Sequence, residues 1–137
     1  MGICTAAPLR RPMVELYMAR TCKWGVLRVI GGELHLQEAD VLIAPANNRL
    51  SGRETLDSNI HKAAGDELTN KCREISVEQR KLNLPPCPVT TNVVTKPYGL
   101  KGKFKHIIHV VAPDCRRPNQ DEARRDLLPV AYANLFE

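Results

Sequence analysis

A chain of 137 residues, 43% hydrophobic and 26% charged, is long enough for one globular domain with a core of its own. Its net charge of +5 favours anionic partners such as a nucleotide, and more weakly nucleic acid, although a basic surface also serves solubility. Aromatic residues make up only 4% and Lys and Arg form no long run, which disfavours a platform for single-stranded nucleic acid. No apolar run approaches the ~18 residues of a membrane span, which disfavours a membrane protein.

The N-terminal 23 residues are predicted to be an extension, followed by one domain over residues 24–137. The extension is basic and contains a single acid, Glu15. Mitochondrial presequences are also basic and poor in acids, but a plain extension is the favoured interpretation. The cysteines, an odd count of five without a CxxC pair, predict reduced, buried thiols. A cytoplasmic or nuclear location is therefore expected.

The pattern of apolar residues predicts strands that alternate with helices. A short helix is predicted over 13–20, and a helix from about Ser58 to Ile75 has Gly65 as a candidate break. A last helix is predicted over 120–136, with a kink at Pro129. A strand is predicted at 24–30 from its alternating apolar residues, buried strands are predicted at 41–44 and 105–111, and an exposed edge strand is predicted at 89–95. The chain is therefore predicted to be α/β, with a sheet covered on both faces.

The most informative stretch runs from Val41 to Gly65. A short β-branched strand is followed by a polar loop, Pro45 to Thr55, and then by Asp57 and a helix. A loop that joins a strand to a helix N-terminus is suited to binding an anion, because unpaired amide groups and the positive end of the helix dipole meet there.

The same stretch resembles the signature of macrodomains, which are ADP-ribose-binding modules. The family pattern G-D-I-T, four residues, D-A-I-V-N-A-A-N and then L-L-G-G-G-G-V-D-G-A-I-H-R-A-A-G aligns without gaps to Gly32–His35, Asp40–Asn47 and Leu50–Gly65. A second pattern, C-x-T-G-E-A-x-I-T-x-G-Y-x-L and then K-x-I-I-H-T-V-G-P, resembles Cys87–Leu100 and Lys105–Pro113. The matches span about Val26 to Pro113.

The resemblance implies a three-layer α/β/α fold with a mixed sheet that is incomplete at its C-terminus. Macrodomains continue past the helix after I-I-H-T-V-G-P with two strands, a helix and a second phosphate loop, and these have no counterpart before Glu137. The chain is thus expected to be a fragment, a truncated product or a degenerate relative. The missing strands lie beside the family's first strand, so Val26–Ile30 is expected to lack a partner.

The resemblance also assigns site residues. Asn47 matches the asparagine that contacts the distal ribose, Asp57 matches the aspartate that positions or activates water in hydrolytic members, and Glu33 matches the acid that accepts a hydrogen bond from adenine. The ligand-binding residues it implies are Glu33, Leu34, Ala46, Asn47, Gly52, Arg53, Leu56 and Asp57, with Asp57 and Asn47 also catalytic. Asp57 could equally be a helix N-cap, and Asn47 could satisfy only its own loop.

Departures from the family pattern weaken an enzymatic interpretation more than a binding one. Ala44 replaces the first asparagine of V-N-A-A-N, and Gly52-Arg53-Glu54-Thr55 replaces the run of four glycines, which removes backbone freedom near a phosphate. Three functions remain open: a module that binds ADP-ribose or an ADP-ribosylated protein, an ADP-ribosyl hydrolase, and a remnant that serves as an interaction surface.

No metal site or cofactor is predicted from the sequence. His106 and His109 lie three apart on a strand and so face opposite sides of the sheet. His61, in the predicted helix, is expected to pack in the core.

Overall fold

The structure is a computed structural model that describes residues 14–53, 55–114, 121 and 123–137. By their contacts the described residues divide into two compact units, one that ends at Gln37 and one that begins at Glu38. Within the described residues, no helix combines the length and hydropathy of a membrane-spanning segment.

The first unit is an antiparallel hairpin of β1 (Glu15–Cys22) and β2 (Gly25–Gly31). The helix predicted over 13–20 is therefore wrong: its Leu, Met and Ala favour helix, but pairing with the β-branched β2 overrides that local preference. The strand expected to lack a partner has β1 as its neighbour. The domain boundary predicted after residue 23 falls at the turn of this hairpin and stays a prediction.

The second unit contains a mixed three-stranded sheet in the order β3, β5, β4. β3 (Val41–Pro45) and β5 (His106–Val110) are parallel, and β4 (Asn92–Thr95) pairs with β5 antiparallel. The prediction of an edge strand at β4 is confirmed. The register places Leu42 beside Ile107, and Ala44 beside His109, on one face of the sheet.

Two consecutive helices, α1 (Thr55–Ala64) and α2 (Asp66–Lys81), follow the loop after β3. Gly65 separates them with a φ of 89°, a conformation that favours glycine. The predicted helix is thus divided at its candidate break, begins three residues before Ser58 and ends six residues after Ile75. Fully buried side chains from these helices and from the sheet form the core: Leu42, Ala44, Ile60, Leu68, Cys72 and Ile107.

A third helix lies on the opposite face of the sheet. A π-helical turn, Ala123–Leu127, leads into α3 (Leu128–Phe136), and Pro129 lies in the first turn of α3, where its missing N–H costs nothing. Pro129 thus lies where the π-helical turn passes into α3, and the kink predicted there stays a prediction. Nδ2 of Asn92 donates to the Asn134 carbonyl at 3.0 Å, and Nδ2 of Asn134 donates to the Thr90 carbonyl at 2.9 Å. The second unit thus has helix, sheet and helix layers, as the fold class predicted.

Candidate functional site

A cleft of about 620 Å³ opens where the parallel strands β3 and β5 both end. This is the edge of an α/β sheet at which ligands usually bind, because the chain leaves the sheet there and makes room between loops. The residues that line it are Pro45, Ala46, Asn47, Asn48, Thr55, Leu56, Asp57, Val89, Val111, Ala112 and Asp114.

The N-terminus of α1 forms one wall of the cleft. Thr55 and Leu56 are its first two residues, and the first amides of a helix have no acceptor within the helix. The positive end of the helix dipole lies at the same place, so this wall is suited to an anion.

The loop between β3 and α1 is fixed by one side chain. Oδ1 of Asn47 accepts hydrogen bonds from the amides of Arg49 and Ser51, both at 3.1 Å, and Nδ2 donates to Oγ of Ser51 at 2.6 Å. The Ala46 amide donates to the Val110 carbonyl at 2.9 Å, which ties the start of the loop to β5. Asn47 therefore holds the loop in shape and also reaches the cleft.

Asp57 is fully buried, with an exposed fraction of 0%, although it contributes to the wall of the cleft. Because α1 begins at Thr55, Asp57 belongs to the first turn and is not at the N-cap position that the sequence also suggested for it. Its Oδ1 is 3.6 Å from Nε2 of His61, one turn further along α1. A buried acid in the first turn is favoured by the helix dipole.

The structure brings together Ala46, Asn47, Leu56 and Asp57 of the predicted site. Gly52 and the exposed Arg53 belong to the same loop but do not line the cleft. Glu33 and Leu34 belong to the first unit, so their predicted contact with a ligand stays a prediction.

Several lining residues were missed from the sequence, chiefly Val111, Ala112 and Asp114, which follow β5. The signal was present, because Val111 and Ala112 belong to the second motif and follow a strand predicted to be buried. Only the parallel pairing of β3 with β5 shows that the two loops meet.

Behind Asp57, two histidines and a cysteine are buried together. One potential ligand atom each from His61, Cys72 and His109 lies within 4.8 Å of the other two. Burial lowers the pKa of His61. The pKa of His109 is lowered to about 4, mainly by burial and to a lesser extent by the nearby charge of His61. Burial, and secondarily the charge of Asp57, raise the pKa of Cys72 to about 11. His106 is exposed on the other side of β5, as its spacing predicted.

The described cysteines Cys22, Cys72 and Cys87 are free thiols. Cys72 and Cys87 are buried as expected, whereas Cys22 is exposed at the end of β1. Burial raises the pKa of Cys87, against an opposing hydrogen bond from Thr91. Cys4 and Cys115 lie outside the described residues.

Comparison with known proteins identifies the family. The Macro domain model matches residues 43–137, so the chain belongs to the macrodomain family. This confirms the resemblance found in the motifs and the α/β fold class.

Individual relatives agree with this assignment. A macro domain-containing protein of Listeria monocytogenes is 31% identical over 99 residues, which are 72% of this chain and 52% of that protein. An O-acetyl-ADP-ribose deacetylase of Cronobacter sakazakii is 32% identical over 113 residues, 82% of this chain and 58% of that protein. The chain thus spans little more than half the length of these relatives.

A solved structure is also similar. The Oceanobacillus iheyensis macrodomain with ADP has a TM-score of 0.72 and 28% sequence identity, and the match covers 90% of this chain and 61% of that one.

Proposed function

We propose that the cleft binds ADP-ribose, either free or attached to a protein. The observation that carries the proposal is the cleft at the carboxyl ends of β3 and β5, with the N-terminus of α1 and Asp57 in its wall. Its volume of about 620 Å³ lies within the range of small-molecule sites.

The chemistry of the walls fits a sugar diphosphate. The amides that begin α1 would receive phosphate oxygens, because they are donors without acceptors in the helix. The carboxylate of Asp57 and the amide of Asn47 would bind ribose hydroxyl groups, which both donate and accept hydrogen bonds. Among the residues that the structure describes, the lining contains two acids, Asp57 and Asp114, and no Lys or Arg, so in this part of the chain phosphate binding would depend on backbone amides.

Known relatives support the same ligand class. The Oceanobacillus iheyensis macrodomain has been solved with ADP, and a mutant of it has been solved with ADPR. The adenine contact predicted for Glu33 and Leu34 belongs to the first unit, outside the residues that the family model matches, and stays a prediction.

Titration calorimetry of the full chain with ADP-ribose tests the proposal, using Asn47→Ala as the site variant. We expect saturable binding by the unchanged protein and at least a tenfold weaker Kd for Asn47→Ala, because losing its three hydrogen bonds releases the loop. Asn70→Ala is the matched control, since Asn70 is exposed on α2, does not line the cleft, and accepts a hydrogen bond from Arg73. Folded protein that shows no binding up to about 1 mM ligand would contradict the proposal and favour the remnant.

A second candidate function is ADP-ribosyl hydrolysis, which the position of Asp57 favours. A buried carboxylate in the wall of a cleft is placed to accept a proton from water as that water attacks the ribose linkage. Relatives named O-acetyl-ADP-ribose deacetylase, from Cronobacter sakazakii and Salmonella typhimurium, support hydrolytic chemistry of a related kind.

Release of ADP-ribose from a modified protein tests this candidate. We expect the unchanged chain to release it and Asp57→Asn to do so at least about 100-fold more slowly, because the amide keeps the shape of the carboxylate but cannot accept the proton. Binding measured on the same Asp57→Asn sample separates catalysis from affinity. ADP-ribose binding without any turnover by the unchanged protein would rule out the hydrolase and leave the binding module.

A further inference from the structure

Three side chains of the kind that bind metal ions meet in the core, on elements that are far apart in sequence. His61 is on α1, Cys72 on α2 and His109 on β5, and one ligand atom from each lies within 4.8 Å of the others. All three residues are buried, with exposed fractions of 7%, 2% and 0%. Asp57, which lines the cleft, lies 3.6 Å from His61 of this cluster.

The two imidazole rings are held in the same way. Nδ1 of His61 lies 3.0 Å from Oγ1 of Thr69, and Nε2 of His109 lies 3.0 Å from Oγ1 of Thr95. A histidine that binds a metal usually has its second nitrogen fixed by such a hydrogen bond, which sets the tautomer and the orientation of the ring.

The other nitrogen of each ring, Nε2 of His61 and Nδ1 of His109, is buried without a hydrogen-bond partner. Oδ1 of Asp57 lies 3.6 Å from Nε2 of His61, which is too long for a hydrogen bond. Buried polar atoms are rarely left in this state, and these two belong to rings whose centroids are 6.1 Å apart, so a single occupant between the rings would satisfy both.

We propose that His61, Cys72 and His109 bind one divalent transition-metal ion, with Zn²⁺ as the favoured ion. Two imidazole nitrogens and a sulfur suit Zn²⁺, whereas Mg²⁺ and Ca²⁺ require oxygen ligands. Bond lengths of about 2.0–2.3 Å would draw the three atoms inward by an ångström or less from their present spacing. The fourth position is left for water or for the carboxylate of Asp57.

The chemistry of binding is a ligand exchange without electron transfer. The S–H bond of Cys72 breaks, a sulfur–metal bond forms, and the proton passes to solvent. The imidazoles bind through lone pairs, that of Nε2 in His61 and that of Nδ1 in His109. The ion would join α1, α2 and β5 directly behind the wall that carries Asp57. It would thereby fix the position of that wall without touching a ligand in the cleft.

Cobalt substitution tests the proposal on the full chain. Co²⁺ bound by a thiolate gives a sulfur-to-cobalt charge-transfer band, so we expect one Co²⁺ per chain with this band and its loss on adding Zn²⁺. Cys72→Ser should reduce the band at least tenfold. The matched control is Cys87→Ser, which should retain it, because Cys87 is equally buried but its Sγ contacts Thr91.

A second measurement covers the case in which Cys72→Ser does not fold. Metal analysis of the unchanged protein, purified without chelator, should find about one Zn²⁺ per chain, and a chelator should lower its Tm, with recovery on adding Zn²⁺. Unchanged protein that is metal-free, shows no cobalt band and has the same Tm with and without Zn²⁺ would overturn the proposal. An equally strong band in folded Cys72→Ser would overturn it as well, since the ion would then be bound elsewhere.

Discussion

Replacing Leu68 with alanine is expected to lower the free energy of unfolding by about 2–5 kcal/mol, because it removes a fully buried side chain and leaves a cavity. Leu68 is on α2 and has an exposed fraction of 0%, in the core that α1 and α2 form with the three-stranded sheet. A loss of this size is a large part of the ~5–15 kcal/mol that stabilises a domain.

Chemical denaturation, followed by circular dichroism, measures this effect. Leu82→Ala is the control, since Leu82 follows the last residue of α2 and is 66% exposed, and its removal should cost under about 0.5 kcal/mol. Equal losses for the two variants would show that α2 is not packed on the core as described.

Replacing Gly52 with alanine is expected to destabilise the protein by about 1–3 kcal/mol and to weaken ADP-ribose binding about tenfold. Gly52 has a φ of 64°, which strains any residue with a Cβ, and the added atom would lie 2.7 Å from Cγ of His61. The imidazole would have to move, which breaks its contact with Thr69, and the loop carrying Asn47 would move with Gly52.

Denaturation and calorimetry on the same preparation separate the two effects of Gly52→Ala. Gly102→Ala is the matched control, because a Cβ at Gly102 meets nothing within 4 Å, and we expect it to change neither quantity appreciably. If Gly52→Ala bound ADP-ribose as tightly as the unchanged protein, the loop would have no part in the site.

The second unit was largely predictable from its sequence, because its signals are local. β3 and β5 are short runs rich in β-branched residues. Gly65, with its positive φ, marks the division between α1 and α2. β1 was not predictable, since its residues favour a helix and only pairing with β2 makes them a strand.

The site was half predictable for a similar reason. Ala46, Asn47, Leu56 and Asp57 follow one another closely along the chain and were found through the motif. Val111 and Asp114 are more than fifty residues away, and only the parallel register of β3 and β5 brings them to the cleft. His61, Cys72 and His109 have no regular spacing at all, so their proximity is a product of the fold.

The groups at the start of α1 that suit an anion are backbone amides, and they do not depend on which side chains are present. Peptide groups are common to every residue type other than proline, so a site for anions made from them persists while the side chains around it are exchanged. The family pattern has glycines where this sequence has Arg53, Glu54 and Thr55, yet Thr55 and Leu56 begin a helix at the cleft. An anion site of this kind therefore depends on where the helix begins more than on the identity of its first residues.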